Sequence, residues 1–366
     1  MKYKFPVYQP TLSGNEKEYV LECLESTWIS SKGKFITEFE DNFSQFLGIK
    51  YSASVSNGTV ALHVALLALG VGPGDDVIVP SFTYIASVNA IHYTGAKPVL
   101  VDSEFDFWQM DTEDVKKKIT SSTKAILAVH LYGHTCEMDE LVKICKEHNL
   151  YLIEDTAEAF GSKYNGKFAG TFGDISTFSF FGNKTITTGE GGMVSTNSKE
   201  LYDLVLRLKG QGLAVGKEYF HDIVGYNYRL TNICSAIGCA QLEKATDIIT
   251  KKREIANWYN NQLNDLPFQL HKESKDVFHT YWMYTVMVDD AEKRDKLRTF
   301  LKEKGIETRP TFHPVHQMPM YYKEGASFPV AESLAIRGIN LPSYPELDES
   351  DVNYISEQIR EFFNHA

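Results

Sequence analysis

The sequence predicts an α/β protein, with a large domain built on a mostly parallel sheet and a smaller α+β domain at the C-terminal end. Three observations carry this expectation. At 366 residues the chain has room for two domains. Over its first two-thirds, short apolar runs alternate with helical patterns, as in strand-helix-strand units whose sheet is covered on both faces. From about residue 230 that alternation gives way to two long helical stretches and a different order of elements. The expected domains are 1–248, holding the large sheet, and 249–366.

Taken in order, Ser13-Gly14-Asn15-Glu16 has the S-x-x-E spacing of a capping box, and Tyr19, Val20, Cys23 and Leu24 then share one face of the helix it would start. Phe35, Phe39, Phe43 and Phe46 mark a second amphipathic helix that stops at Gly48. Strands are expected at 51–56, 76–80, 97–101, 124–129 and 150–155, and helices between them at 59–69, 83–94, 111–119 and 138–148. DISTFSF and GMVST add two more strands. Helices at 231–248 and 250–264, a strand in TYWMYTVMV, a charged helix at 291–304 and a last helix at 349–363 complete the chain.

A composition of 43% hydrophobic and 23% charged residues is that of a globular protein and excludes wholesale disorder. The formal net charge of −11 argues against nucleic acid or an anionic membrane as partner, so any phosphorylated ligand must be held by local groups. No apolar run approaches the roughly 20 residues of a membrane span, and the start MKYKFPVYQP lacks a leader pattern, so a cytoplasmic protein is expected. The five cysteines are odd in number and irregularly spaced, which predicts reduced, mostly buried thiols.

Open parallel sheets bind ligands beyond the carboxyl ends of their strands, and three loops there carry chemistry. Ser56-Asn57-Gly58-Thr59 joins a strand to a helix whose first amides suit a phosphate, or it is a plain N-cap. In LIEDTAEAFG an apolar strand ends in Glu154-Asp155, with Glu158 three residues on. A carboxylate there is costly unless it meets a cation or donor, although Asp155 could simply cap the next segment. In FSFFGNKTITTGEGGM, Lys184 lies among phenylalanines and glycines. Desolvation would lower its pKa toward that of a working amine base, while the plain alternative is a surface lysine. Together the three supply what pyridoxal phosphate requires: a phosphate anchor, a carboxylate for the pyridine nitrogen and a lysine amine for the aldehyde.

The order and wording of these motifs, with STWISSKG, TYIASVNAI, KGQGLAV and GYNYRLTNIC, resemble the DegT/DnrJ/EryC1/StrS family of sugar aminotransferases over essentially the whole chain. The resemblance implies a fold type I enzyme, with Lys184 bonding the cofactor and Asp155 pairing with its pyridine nitrogen. It implies that Glu158 lies beside the phenolic oxygen, that Gly58, Thr59 and Ser179 form the phosphate cup and that Tyr84 stacks on the pyridine face. Asn227 is implied to reach the phosphate of the neighbouring subunit, and hence a homodimer with shared sites. Phe160 stands where a histidine is frequent. Arg309 and His316, in ETRPTFHPVHQM, fall in the segment that faces substrate in the family, or they belong to a packed Pro-rich turn.

Lysine at 184, where related dehydratases carry histidine, implies transamination. The substrates implied are glutamate and a nucleotide-linked 4-keto-6-deoxy sugar, GDP-4-keto-6-deoxy-D-mannose first, with a UDP- or dTDP-linked sugar as the alternative. A non-catalytic regulatory module is the reading from another class. His130, His134 and Cys136 in HLYGHTC fit no strong zinc spacing, so no metal is expected. Tyr281 and Trp282 read most simply as strand residues facing a core.

Overall fold

The computed structural model describes residues 3–365. Helix α1 (Glu16–Glu25) does begin where the S-x-x-E pattern ends, yet the capping box does not form. Glu16 is buried and turns away, accepting from the Gly14 amide (2.9 Å) and from Gln241 Nε2 (2.6 Å). Packing against the later helix Asn232–Glu243 has outbid the local cap. Helix α2 (Lys34–Leu47) buries Phe35, Phe39 and Phe43 and ends on Gly48 in the left-handed conformation (φ 72°), as its phenylalanine spacing and glycine stop predict.

The large sheet has seven strands: β1 (Tyr51–Val55), β2 (Asp76–Pro80), β3 (Lys97–Val101), β4 (Thr123–Val129), β5 (Tyr151–Asp155), β8 (Ile175–Ser179) and β9 (Gly192–Thr196). Two short strands, β6 (Lys163–Tyr164) and β7 (Lys167–Phe168), lie between β5 and β8 in sequence and form a separate hairpin. The spatial order is β1-β9-β8-β5-β4-β2-β3. All neighbours from β8 to β3 are parallel, and β9 runs antiparallel to both β1 and β8. The central strands are apolar and buried on both faces, as parallel strands covered by helices must be.

A second, antiparallel sheet has the order β10-β12-β14-β13, from β10 (Phe268–Leu270), β12 (Tyr284–Val288), β13 (Arg309–Pro310) and β14 (Gly338–Leu341). Strand β11 (Val277–Phe278) instead pairs with β6. Ile255, Tyr259, Tyr284, Leu297, Leu301 and Ile355 form a core under this sheet, distinct from the core of β1 to β9. The expected helix pair is present as Asn232–Glu243 and Ala245–Leu263, broken at Lys244. The strand expected in TYWMYTVMV starts only at Tyr284. Tyr281 has φ 50° and its amide donates to His279 Nδ1 (3.0 Å), so Tyr281 and Trp282 lie in a turn before the strand and not in it. All five cysteines are free thiols, four of them buried.

Candidate active site

The carboxyl ends of β4, β5 and β8 open into a cavity of about 680 Å³. Register sets its floor, because Asp155, the last residue of the central strand β5, lies between Val129 of β4 and Thr177 of β8. Of the ten residues singled out from sequence, eight line this cavity: Gly58, Thr59, Tyr84, Asp155, Glu158, Ser179, Lys184 and Arg309.

Helix α3 (Gly58–Ala68) starts at the cavity wall. Its N-cap Asn57 accepts the Val60 amide (3.0 Å), while the amides of Gly58 and Thr59 lie in the first turn, outside the helix's own ladder. A Cβ on Gly58 would sit 2.7 Å from Ser179 Cβ, so glycine is what lets the helix start approach β8 this closely. The result is a polar notch of two amides and two hydroxyls at a helix N-terminus, suited to a phosphate. Tyr84, 57% exposed, stands at the start of helix α4 (Ile85–Tyr93) with its ring 5.8 Å from that of Phe312.

Asp155 is buried and held at both oxygens: Oδ2 accepts the Ser87 hydroxyl (2.7 Å) and Oδ1 the Ala157 amide (3.1 Å). Burial raises its pKa, and those two donors with nearby Lys184 pull the other way. Its neighbour Glu154 points to the opposite face of the sheet. There it accepts the amides of Gly170, Phe172 and Gly173 (2.7 Å each) and faces His130 Nε2 at 3.2 Å. His130 Nδ1 accepts the Cys136 amide, so the ring proton lies on Nε2, toward Glu154. Strand alternation therefore divides the two acidic residues into one for the loop at 170–173 and one for the cavity.

Glu158 Oε2 accepts the Tyr132 amide (3.1 Å), and Oε1 lies 3.8 Å from Lys184 Nζ. Burial pushes the Glu158 carboxyl up to about 7 against the attraction of Lys184. Burial likewise lowers the Lys184 ammonium, with Glu158 and Asp155 opposing. The sequence-based expectation of a desolvated lysine rested on its phenylalanine neighbours, and Trp282 adds to it: the Lys184 ammonium lies over the indole ring, 4.0 Å from its centroid.

Two predicted residues lie elsewhere. His316 does not reach the cavity. It is 4% exposed, with Nδ1 bonded to Ser81 Oγ (2.7 Å) and Nε2 to Glu332 (3.0 Å), so both ring nitrogens are committed to holding the segment after β13 against the end of β2. Asn227 is exposed outside this chain's own cavity, and its Oδ1 accepts from Arg229 Nη2 (3.0 Å). Phe160 is packed against Phe43 and Phe46. Ser87, Tyr132, Trp282 and Phe312 line the cavity without having been singled out as site residues. Ser87, in the first turn of helix α4, and Tyr132, in the loop after β4, are brought to Asp155 only by the strand order, although Ser87 lies three residues after Tyr84 in the same motif.

A phosphate notch, a buried carboxylate and a buried lysine on one cavity fit pyridoxal phosphate by donor chemistry and by the space that Gly58 leaves. The family model for the DegT/DnrJ/EryC1/StrS aminotransferase family matches residues 10–360. The chain is 63% identical to the GDP-perosamine synthase of Escherichia coli O157:H7 over 364 residues, covering 100% of both chains. It is 53% identical to the GDP-perosamine synthase of Vibrio cholerae, covering 98% of this chain and 99% of the other. A protein of Streptococcus pneumoniae described as a sugar aminotransferase, in its PLP form, superimposes with a TM-score of 0.93 at 27% identity, over 100% of this chain and 99% of that one. The chain belongs to the DegT/DnrJ/EryC1/StrS aminotransferase family and is a fold type I aminotransferase whose cofactor is pyridoxal phosphate.

Proposed function

We propose that this family member transfers the amino group of glutamate to C4 of GDP-4-keto-6-deoxy-D-mannose, giving GDP-perosamine. The observation that carries the substrate is the 63% identity to a GDP-perosamine synthase over the full length of both chains. The cavity chemistry is in keeping with it.

Bound pyridoxal phosphate supplies an aldehyde that receives and hands on the amino group and a ring that takes up the electron pair released when a C–H bond breaks. The chain's own groups do the rest. Gly58, Thr59 and Ser179 would hold the phosphate, and Tyr84 would cover the ring. Asp155, anchored by Ser87 and Ala157, keeps a proton on the ring nitrogen as an ionised partner. Glu158 would face the cofactor's phenolic oxygen. Lys184 would hold the cofactor through its amine and, when free of it, would carry the proton that is moved in each half-reaction. A buried amine is suited to this because its proton is weakly held.

Arg309, half-exposed at the cavity rim, is the first candidate for the sugar nucleotide's diphosphate, because a chain of net charge −11 offers no general attraction to it. His316 acts on substrate indirectly, through the segment that carries Phe312. Asn227 serves the site of a second copy in a homodimer, in keeping with its exposure away from its own cavity. We divide the chain into domains at 1–248 and 249–366 on the ground that the antiparallel sheet has a core of its own, although the core of the large sheet also takes in Trp282, Met287, Val315 and Leu334, and Phe5 joins the smaller one. A cytoplasmic enzyme supplying a lipopolysaccharide O-antigen sugar fits this activity, and among the described residues no helix is long and apolar enough to cross a membrane. A UDP- or dTDP-linked keto sugar is the second reading, and a non-catalytic regulatory module the third.

The test is a panel of GDP-, UDP- and dTDP-linked 4-keto sugars with nitrogen-labelled glutamate. Label should pass to the GDP sugar first. Preference for another nucleotide would overturn the substrate and leave the aminotransferase class standing, and no transfer to any sugar would favour the regulatory module. Borohydride reduction followed by peptide mass spectrometry should find the cofactor on Lys184 and on no other lysine.

A further inference from the structure

Trp282 is the residue that neither its sequence context nor the cofactor chemistry explains. It is 6% exposed, lies outside strand β12, and makes two contacts with one short stretch of chain. Its indole N–H donates to the carbonyl of Asn183 (2.7 Å), and its ring face carries the Lys184 ammonium at 4.0 Å. A strand residue facing a core would do neither.

The fold goes to some length to place it. The backbone of Tyr281 and Trp282 passes so close to Gly133 that a Cβ there would lie 2.6 Å from the Tyr281 nitrogen and 2.8 Å from that of Trp282. The Thr280 amide donates to the Gly133 carbonyl (3.1 Å), and the His279 ring holds the Tyr281 amide. The indole then lies alongside Tyr132 (centroids 6.1 Å, 17° between planes), and Tyr132 lies against Phe312 (5.5 Å, 14°). Few rotamers are open to a ring so enclosed. Lys184 is thus bounded by Trp282, by Glu158 at 3.8 Å and by the more distant charge of Asp155, while Lys252 and Tyr8 line a small cavity on its other side.

We propose that Trp282 is a positioning residue for Lys184, holding the amine by its ring face and the amine's own loop by its N–H. This rests on the reading of Lys184 as the reacting lysine. An ammonium over an indole face is favoured electrostatically, so the ring offsets part of the cost of burying Lys184 and restricts where its Nζ can go. The hydrogen bond to Asn183 fixes the backbone one residue before Lys184, so amine and loop are referred to a single rigid group.

The experiment is competitive acetylation of Lys184 across pH in the full-length protein freed of cofactor, read by peptide mass spectrometry, on wild type, Trp282→Leu and Trp282→Phe. Leucine keeps the site apolar but removes the ring, so the labelling midpoint of Lys184 should fall by about half to one pH unit, the size of a cation–π contact. Phenylalanine keeps a ring face and should bring the midpoint back most of the way to wild type. In the loaded enzyme both variants should lower kcat more than they change KM for the nucleotide sugar, because the loop tether is lost in each. If the ring merely excludes water, the Leu midpoint should rise toward that of a solvated lysine, and a rise or an unchanged midpoint overturns the proposal. So does a Phe variant no nearer wild type than Leu. Should Leu prevent folding, Trp282→Met takes its place in the same comparison. Failure of the underlying reading would show separately, as a borohydride-trapped cofactor on a lysine other than 184.

Discussion

Replacing Ser87 by alanine removes one hydroxyl that bridges Asp155 and, at 3.3 Å, the Thr83 hydroxyl. Ser87 is 2% exposed and its hydroxyl donates to Asp155 Oδ2 at 2.7 Å, leaving the Ala157 amide as the other donor to that carboxylate. A hydrogen bond to a charged group contributes about 1.5–3 kcal/mol, and the carboxylate here is buried, where water does not replace the lost donor. Divided by about 1.36 kcal/mol per pH unit, that loss should move Asp155 further up by roughly one to two units. The sign follows from the form stabilised: Ser87 favours ionised Asp155, so its removal adds to the upward push of burial. Two measurements should agree. The acid limb of kcat/KM should move to higher pH by about one to two units, because the ring nitrogen needs an ionised partner. The loss of stability in urea should be largest near pH 7 and shrink as the pH falls through the Asp155 pKa, since a neutral carboxyl loses only an ordinary hydrogen bond of about 1 kcal/mol. An unmoved acid limb together with a pH-independent loss would refute the assignment of Ser87 as the group that keeps Asp155 ionised.

Gly58→Ala should weaken cofactor binding by one to two orders of magnitude, because its Cβ meets Ser179 Cβ at 2.7 Å and overpacking of that kind costs about 1–3 kcal/mol; equilibrium dialysis reads it, and wild-type affinity would mean that the notch is not the phosphate site. Arg309→Ala should lower kcat/KM for the nucleotide sugar by roughly 10- to 150-fold and leave the glutamate half-reaction alone, and equal loss in both halves would remove Arg309 from the diphosphate. Mixing inactive Lys184→Ala with inactive Asn227→Ala chains should recover part of the activity, and a mixture that stays inactive although subunits exchange would exclude a shared site. The buried rings of His271 and His279 are lowered by burial and joined in one direction: the Tyr281 amide donates to His279 Nδ1, His279 Nε2 to His271 Nδ1 (3.3 Å), and His271 Nε2 to the Phe107 carbonyl (3.0 Å). An added proton would set two N–H groups face to face, so below about pH 6.5, where the unfolded chain takes protons and these rings do not, each should cost up to about 1.4 kcal/mol per pH unit, with Glu158 opposing between about 7 and its ordinary range. His271→Gln should flatten that slope by about one histidine's share in urea titrations, and an unchanged slope would show that His271 charges freely in the fold.

What could be read from the sequence was whatever depends on neighbours in the chain. Gly48 stops a helix and Asp155 ends a strand because a few adjacent residues decide it, and the large sheet follows from alternation alone. Lys184 could be singled out because it is the one lysine in an apolar, glycine-rich segment, although the apolar ring that covers its ammonium is Trp282. Side chains that arrive from elsewhere left no such trace. Ser87 meets Asp155 across 68 residues, and Trp282 meets Asn183 across 99. The capping box at Ser13 satisfies the local rule and still does not form, since Glu16 finds Gln241, a partner from a helix more than two hundred residues away. His316 has the residue type of a ligand-facing side chain in the segment expected to face substrate, but residue type does not say which way a ring points, and both of its nitrogens are taken by Ser81 and Glu332.

The order of strands in the large sheet also bears on how the protein is made. Strands β2, β3 and β4 find all their neighbours within β2 to β5, and β5 lacks only β8, so this block can pair while the rest of the chain is still being synthesised. The first strand, β1, has no neighbour in the sheet until β9 arrives, and the loop after it is fixed still later, when the Ser56 amide meets the Tyr228 carbonyl (2.8 Å). Until then, β1 is an unpaired edge carrying half of the phosphate notch at its end. The two sides of the cavity are therefore completed at different points of synthesis: the helix start at Gly58 has its last backbone tether once residue 228 is made, whereas the loop that carries Lys184 waits for Trp282, whose N–H holds the Asn183 carbonyl.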